Sequence, residues 1–415
     1  MVRNLAEAGI PDGWKYDLLE TFAKRCSGHT PNKKHSEYWD GGIKWVSLSD
    51  SSSLDNGYIF KTDKEISEEG IKNSSAVVHP QGTVILSRDA GVGKSAVMAE
   101  PMAVSQHFIA WYCDNKKTLN TWFFYNWLQV MKPEFERQAV GSTIKTIGLP
   151  YFKKLKIAVP PYSEQEKIAK ILSAWDRAIE KTEKLIINSQ RQKKSLMQQL
   201  LTGKKRFIGF NDEWKTVRLD ELYTFKKGKG LSKGLTSKNG INKCILYGEL
   251  YTKYKEVIHQ VYSCTDSTEG LLSVGGDVLI PSSTTTSGID LANATALLDS
   301  NVHLGGDINV LRPLNNNVNA NFMAHLLTHI KKHEIASRAQ GITIIHLYGS
   351  DLKGLIISLP DTLKEQQKIE ALLSATDKEF EILQQKLDCL KQEKKALMQQ
   401  LLTGKRRVII DKEVA

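Results

Sequence analysis

An α+β architecture is predicted for this chain: two globular mixed α/β domains in pseudo-two-fold arrangement, separated by two long antiparallel coiled-coil helices. Three observations predict it. Gln192–Arg206 returns almost letter for letter as Glu393–Arg407, so the chain repeats itself at an offset of about 200 residues. Each copy closes a long stretch without Pro or Gly that keeps a heptad of apolar residues. The segments between the copies hold short β-rich runs bounded by Gly, Asn and Pro.

Composition narrows the class. The 415 residues allow two to four domains at about 100 to 200 residues each. A 41% hydrophobic share, eight Trp, 29 Gly and 11 Pro exclude a disordered or fibrous chain. No run of about 18 apolar residues exists and Met1–Pro11 lacks an apolar centre, so neither a membrane span nor a leader is expected, and the expected location is the cytoplasm. Five scattered cysteines without a CxxC pair fit reduced thiols and speak against a zinc ribbon. The net charge of +11 is concentrated: residues 151–220 carry 16 basic against 8 acidic side chains, which suits a polyanionic partner.

In chain order the reading is a first globular domain over 1–155, a helical spacer over 156–206, a second globular domain over 207–355 and a second spacer over 356–415. Strands are expected near Thr83–Ser87, Ala103–Ile109, Asp277–Ile280 and Asp307–Leu311, and helices near Leu119–Met131 and Ala320–Ala336. The first long helix is expected over Glu164–Thr202, with Ser163 as cap and Gly203 as stop. Its seam is Ile168, Leu172, Trp175, Ile179, Ile186, Leu196 and Leu200, with Thr182, Ser189 and Lys193 as polar members. The second copy keeps the register with Ile369, Leu373, Phe380, Leu383, Leu387, Leu390, Leu397 and Leu401. Two matched helices repeated in tandem predict an antiparallel pair about a pseudo-two-fold axis. Echoes continue outside the helices, in Trp14-Lys15 with Trp214-Lys215, Glu164-Gln165 with Glu365-Gln366 and Gly141–Ile147 with Gly341–Leu347. Residues 20–140 and 220–340 share almost nothing.

Several segments imitate catalytic motifs and fail at the residue the chemistry needs. Val159-Pro-Pro-Tyr162 has valine where an amino-methyltransferase loop needs a hydrogen-bond acceptor, and Phe225–Gly230 is one residue out of register with a methyl-donor loop. Arg88–Ser95 ends like a P-loop, yet Arg88 replaces its first glycine. Pro360-Asp361 with Glu393-Lys394-Lys395 has the letters of a nuclease motif, but Glu393 falls inside the predicted coiled coil. No catalytic residue, metal ligand set or cofactor is expected.

The globular segments offer instead a polar, basic and aromatic surface. In the first, the candidate binding residues are Thr30, Lys33, Lys34, Trp39, Lys44, Trp45, Arg88, Lys94, Ser142, Thr143 and Lys145. In the second they are Lys226, Lys227, Lys229, Ser282, Ser283, Thr284, Thr343 and His346. Lysines neutralise phosphates, and short hydroxyls and amides reach base edges.

Two dissimilar domains, each followed by a helix ending in Leu-Met-Gln-Gln-Leu-Leu-Thr-Gly, resemble the specificity subunit of Type I restriction-modification systems. Ile10–Trp14, Gly28–Pro31, Tyr38-Trp39, Ile43–Trp45, Leu86–Arg88, Gly93-Lys94, Val159-Pro160 and Glu164-Gln165 carry the resemblance. It implies two target-recognition domains reading a bipartite site on double-stranded DNA, a non-catalytic chain, and as partners two adenine methyltransferase subunits and two motor and restriction subunits. The alternative from another class is a coiled-coil scaffold joining two protein-binding modules.

Overall fold

The structure is a computed structural model that describes residues 9–113 and 117–409. Most of Met1–Pro11, the stretch read as carrying no leader, lies outside the described residues. The chain forms two compact units, residues 1–183 with 385–415 and residues 184–384. Their boundaries fall inside the two long helices, Tyr162–Leu200 and Leu363–Leu401. Each unit is therefore a globular part joined to the first stretch of one long helix and the last stretch of the other.

In the first unit a five-stranded sheet runs in the order Lys24–Ser27, Phe108–Tyr112, Val84–Ser87, Ser95–Met98, Tyr58–Ile59. Its central strands are buried on both faces, beneath a second sheet of three strands and the helix Thr121–Gln138. That helix runs on through Pro133, past the end read from the sequence at Met131, because tertiary packing of Phe135 outweighs the lost backbone donor. The expected strand Ala103–Ile109 is split by a turn into Ala103–Val104 and Phe108–Tyr112.

The second unit repeats this order without repeating the sequence. Its main sheet runs Tyr223–Lys227, Ile308–Pro313, Asp277–Pro281, Thr295–Leu297, Val257–Ile258. A helix again follows, Ala320–His325, continuing as a π-helical turn over Leu326–Ile330. The two globular segments thus share one fold under unrelated letters. One shared letter is a glycine. A β-carbon on Gly28 would lie 2.2 Å from the Val104 carbonyl oxygen, and one on Gly228 would lie 1.9 Å from that of Gly305. Both positions admit only glycine.

In each unit a short ribbon leads into the long helix: Lys15–Leu18 pairs with Lys156–Val159, and Lys215–Arg218 with Ile356–Leu359. The first long helix starts at Tyr162, two residues earlier than expected, so Ser163 sits inside the first turn and the Pro161 carbonyl accepts from the Glu164 and Gln165 amides. Gly203 and Gly404 end the helices at φ +70° and +69°.

Within each unit the helix stretches run antiparallel. In the first, Ile168 and Leu172 share a core with Phe123, Trp111, Met398, Leu401 and Leu402. In the second, Ile369 and Leu373 share one with Phe322, Leu200 and Leu201. The remaining seam residues Trp175, Ile179, Ile186, Leu196, Phe380, Leu383, Leu387, Leu390 and Leu397 are buried or half-buried, as the heptad requires. The lysines that interrupt the heptad are paired: Lys193 with Asp377, and Lys394 with Asp176.

In each unit a buried carboxylate meets an arginine. Glu164 takes a two-pronged hydrogen bond from Arg407, at 2.7 Å to each oxygen, and Glu365 takes the same from Arg206, at 2.8 and 2.7 Å. The neighbouring glutamines are buried and join helix to helix. Gln165 accepts from the Asn120 amide at 2.7 Å, and Gln366 from the Asn319 amide at 2.8 Å. Those asparagines cap the two globular helices, Asn120 accepting from the Trp122 and Phe123 amides and Asn319 from the Phe322 amide. Among the described residues no helix is long and apolar enough to cross a membrane.

His79 is buried beneath the first unit's sheets, where loss of water pulls its pKa below the ordinary 6.5. The unfolded chain binds a proton near pH 6.5 and the folded chain resists it, so stability is full above that pH and falls below it. A lower urea midpoint at pH 5.5 than at pH 7.5, with a shallower decline in His79→Gln, is the expected result.

Candidate nucleic-acid interface

The turn Asp89–Lys94 joins two strands of the first unit's main sheet. Ala90 lies at φ +41°, and the Gly93 amide bonds back to the Ser87 carbonyl. No helix follows, so the P-loop letters form a hairpin. The loop Gly141–Thr146 docks on this turn: the Ala90 amide donates to the Lys145 carbonyl at 3.3 Å, and the Ile147 amide to the Arg88 carbonyl at 2.9 Å. Segments about 50 residues apart thereby form one rim. Lys94, Lys132, Lys145 and Glu136 line a depression of about 340 Å³ there, with the Lys132 ammonium held by Asp55 at 2.6 Å. Ser142, Thr143 and Lys145 are exposed on it.

The Gly28–Pro31 loop adjoins this surface through the turn before Phe108, where Thr30 bonds Gln106 and the Arg88 amide donates to the His107 carbonyl at 2.9 Å. Lys33 and Lys34, just after it, are exposed. Other candidates are turned inward. Trp45 is buried, its indole nitrogen donating to the His29 carbonyl at 3.0 Å, and half-buried Trp39 packs edge-on against it. Their rings fill the small second core, where burial of apolar ring surface outweighs exposure, although the Trp39 indole nitrogen finds no partner among the described residues. Lys44 does not project, because Glu100 and the Phe60 carbonyl hold its ammonium. Arg88 is largely covered and lies 3.6 Å from Asp89, and Lys94 donates to the Ser51 carbonyl at 2.9 Å.

In the second unit the equivalent loop, Gly341–His346, pairs with Ser283–Thr284 rather than with a turn. That pairing corrects the placement of the candidate binding residues Ser282, Ser283 and Thr284 on an open polar surface: all three are buried, and the exposed hydroxyls are Thr285 and Thr286. Ser282 still meets Lys226, Lys227, Tyr348, Ser350 and Lys353 around a depression of about 200 Å³. Lys226, Lys227 and Lys229 are exposed, as is Thr343. His346 is half-buried and stacks on Tyr348 at 5.9 Å. The loop tip carries fully exposed Ile342.

Each globular part thus presents a basic depression beside the same repeated glycine loop, with different side chains around it. Lys132, Tyr348 and Lys353 were missed from the sequence. Lys132 and Lys353 sat in helices with no local mark, and only the fold carries them to the rim. The would-be catalytic segments serve the scaffold: Val159 ends a strand and is buried, Phe225–Lys227 is strand, and Glu393 lies in the second long helix.

A sequence profile described as "Type I restriction modification DNA specificity domain" matches residues 11–189 and again 211–392. The chain is 24% identical over 431 aligned positions to the "Type I restriction enzyme MjaVIII specificity subunit" of Methanocaldococcus jannaschii, covering 96% of this chain and 94% of that one. It is 28% identical to the MjaIX specificity subunit of the same organism over 176 residues, 42% of this chain and 40% of the relative. Among solved structures, the S subunit from M. genitalium superposes with a TM-score of 0.58 at 16% identity, over 97% of both chains. The HsdS subunit from Thermoanaerobacter tengcongensis gives 0.53 at 17%, over 96% of this chain and 98% of that one. The likeness to the solved structures is one of fold.

Proposed function

The chain belongs to the Type I restriction modification DNA specificity family, and from that premise we propose that it reads a bipartite, asymmetric site on double-stranded DNA and positions partner subunits there without chemistry of its own. The observation that carries this reading is a lysine-lined depression on each of two globular parts that share one strand order, with Lys94, Lys132 and Lys145 around the first and Lys226, Lys227 and Lys353 around the second. One scaffold with two different linings suits two different half-sites. The partners are two adenine methyltransferase subunits, which flip the target base, and two motor and restriction subunits. No cofactor is required by this chain for reading DNA.

Sequence-independent affinity comes from phosphate neutralisation, so each phosphate-contacting lysine contributes about one to the slope of log affinity against log salt. Lys145→Ala and Lys226→Ala are each expected to lower that slope by about one in the assembled complex. Lys44→Ala should leave it unchanged, because its ammonium is already engaged by Glu100. Titration of a fluorescent duplex across a salt series reads both. Equal slopes for wild type, Lys145→Ala and Lys226→Ala would remove the depressions from the interface and return the scaffold reading.

A further inference from the structure

We propose that the second unit contains a binding site for one divalent transition-metal ion, formed by Glu256, His325 and His329. One donor atom from each of the three lies within 4.8 Å of the other two. The histidines stand four apart on the helix that begins at Ala320, where it passes into its π-helical turn, and their rings stack at 6.0 Å and 20°. π-Helical turns are rare and concentrate at functional sites. Glu256 comes from the start of the strand Val257–Ile258 and meets His329 Nε2 at 2.6 Å.

One feature is poorly explained by a purely structural ion pair. His325 is 1% exposed, and its Nδ1 has no hydrogen-bond partner among the described residues. A buried imidazole of that kind is normally tied to a carbonyl or carboxylate. A carboxylate beside two imidazoles, one of them sealed from water, is the donor set of a borderline metal ion. Calcium and magnesium prefer all-oxygen sites, whereas two imidazoles and a carboxylate suit Zn²⁺, Co²⁺ or Ni²⁺.

Glu256 also lines a cavity of about 400 Å³ with Lys193, Tyr254, Thr328 and Asp377, which provides room for a water ligand. Among the described residues the first unit lacks the set. Counting from the helix caps Asn120 and Asn319, His325 and His329 correspond to Asn126 and Val130, and Gly57 precedes the strand that matches the one after Glu256. The site is private to the second unit. An ion there would tie its globular helix to the edge strand beside the Lys193–Asp377 pair.

The test uses the full chain, stripped with a chelator and titrated with Co²⁺. One equivalent should bind with visible d–d bands of a low-coordinate centre, free of thiolate charge transfer, and Zn²⁺ should displace it. His329→Gln, at the half-exposed edge of the cluster, and Glu256→Gln should each weaken binding by about a hundredfold with unchanged circular dichroism. Failure of the wild-type chain to retain an equivalent through dialysis would overturn the proposal. So would equal binding by both variants, or thiolate bands. None of these outcomes bears on DNA reading, which is scored separately by the salt series.

Discussion

Arg206→Met is expected to destabilise the second unit by about 3 kcal/mol, although Arg206 lies just beyond the end of the first long helix. Its guanidinium is the two-pronged partner of Glu365, whose side chain is 1% exposed. Removing one partner of a buried pair leaves the other charged and unsolvated, at a cost of about 3 to 5 kcal/mol, and the partial exposure of Arg206 places this case at the lower end. Neutralising both sides in Arg206→Met/Glu365→Leu should recover more than half the loss, because the penalty is the stranded carboxylate. Hydrogen exchange resolved along the chain is the measurement. Faster exchange should appear within 184–384 and leave the sheet of the first unit unaffected. A loss spread evenly over both units, or a double variant no better than the single, would refute the assignment. The equivalent Arg407→Met should act on the first unit and more weakly, since Arg407 is twice as exposed.

A fragment ending at Arg206 is expected to assemble as a two-fold dimer. In the whole chain the first unit is completed by its far end: Met398, Leu401 and Leu402 enter the core with Ile168 and Leu172. Burial of such side chains contributes about 1.5 to 3 kcal/mol each, so a monomeric fragment would leave much of that core open. Each copy of the fragment also carries the replacement. Met197, Leu200 and Leu201 are the same letters at the same places in the repeat. Arg206 of one copy can meet Glu164 of the other, and Lys193 can meet Asp176, as Arg407 and Lys394 do in the intact chain. Lys193, which interrupts the heptad, becomes a partner in this assembly. A symmetric dimer with modification subunits should then direct methylation to an inverted repeat of the first half-site. Sedimentation of the fragment and sequencing of the methylated DNA decide it. A monomer at micromolar concentration, or a non-palindromic product, sinks the idea.

The repeat, the heptad seam and the basic loops were legible in the sequence because each is a local pattern. Lys33, Lys34, Ser142, Thr143, Lys145, Lys226, Lys227, Lys229 and Thr343 are exposed as read, since charged and short polar residues in Gly-rich loops rarely find buried partners. The failures have a common cause. Trp45, Lys44 and Ser282–Thr284 looked available, but each found a partner from a distant segment: the His29 carbonyl, Glu100, and the strand Ile345–His346. His325 and His329 showed a four-residue spacing that acquired meaning only when the strand at Val257 delivered Glu256.

The sequence by itself determined the duplication, the two long helices and their stops, because helix periodicity and glycine termination act within a few residues. Tertiary structure alone decided that the two dissimilar segments are the same five-stranded fold, since strand order is a property of long-range pairing that many sequences satisfy. It also decided that each compact unit borrows the last stretch of the other copy's helix. Glu164 and Glu365 are buried charges, and a buried charge requires a partner wherever the chain can supply one. Here the chain supplies it from Arg407, 243 residues downstream, and from Arg206, 159 residues upstream.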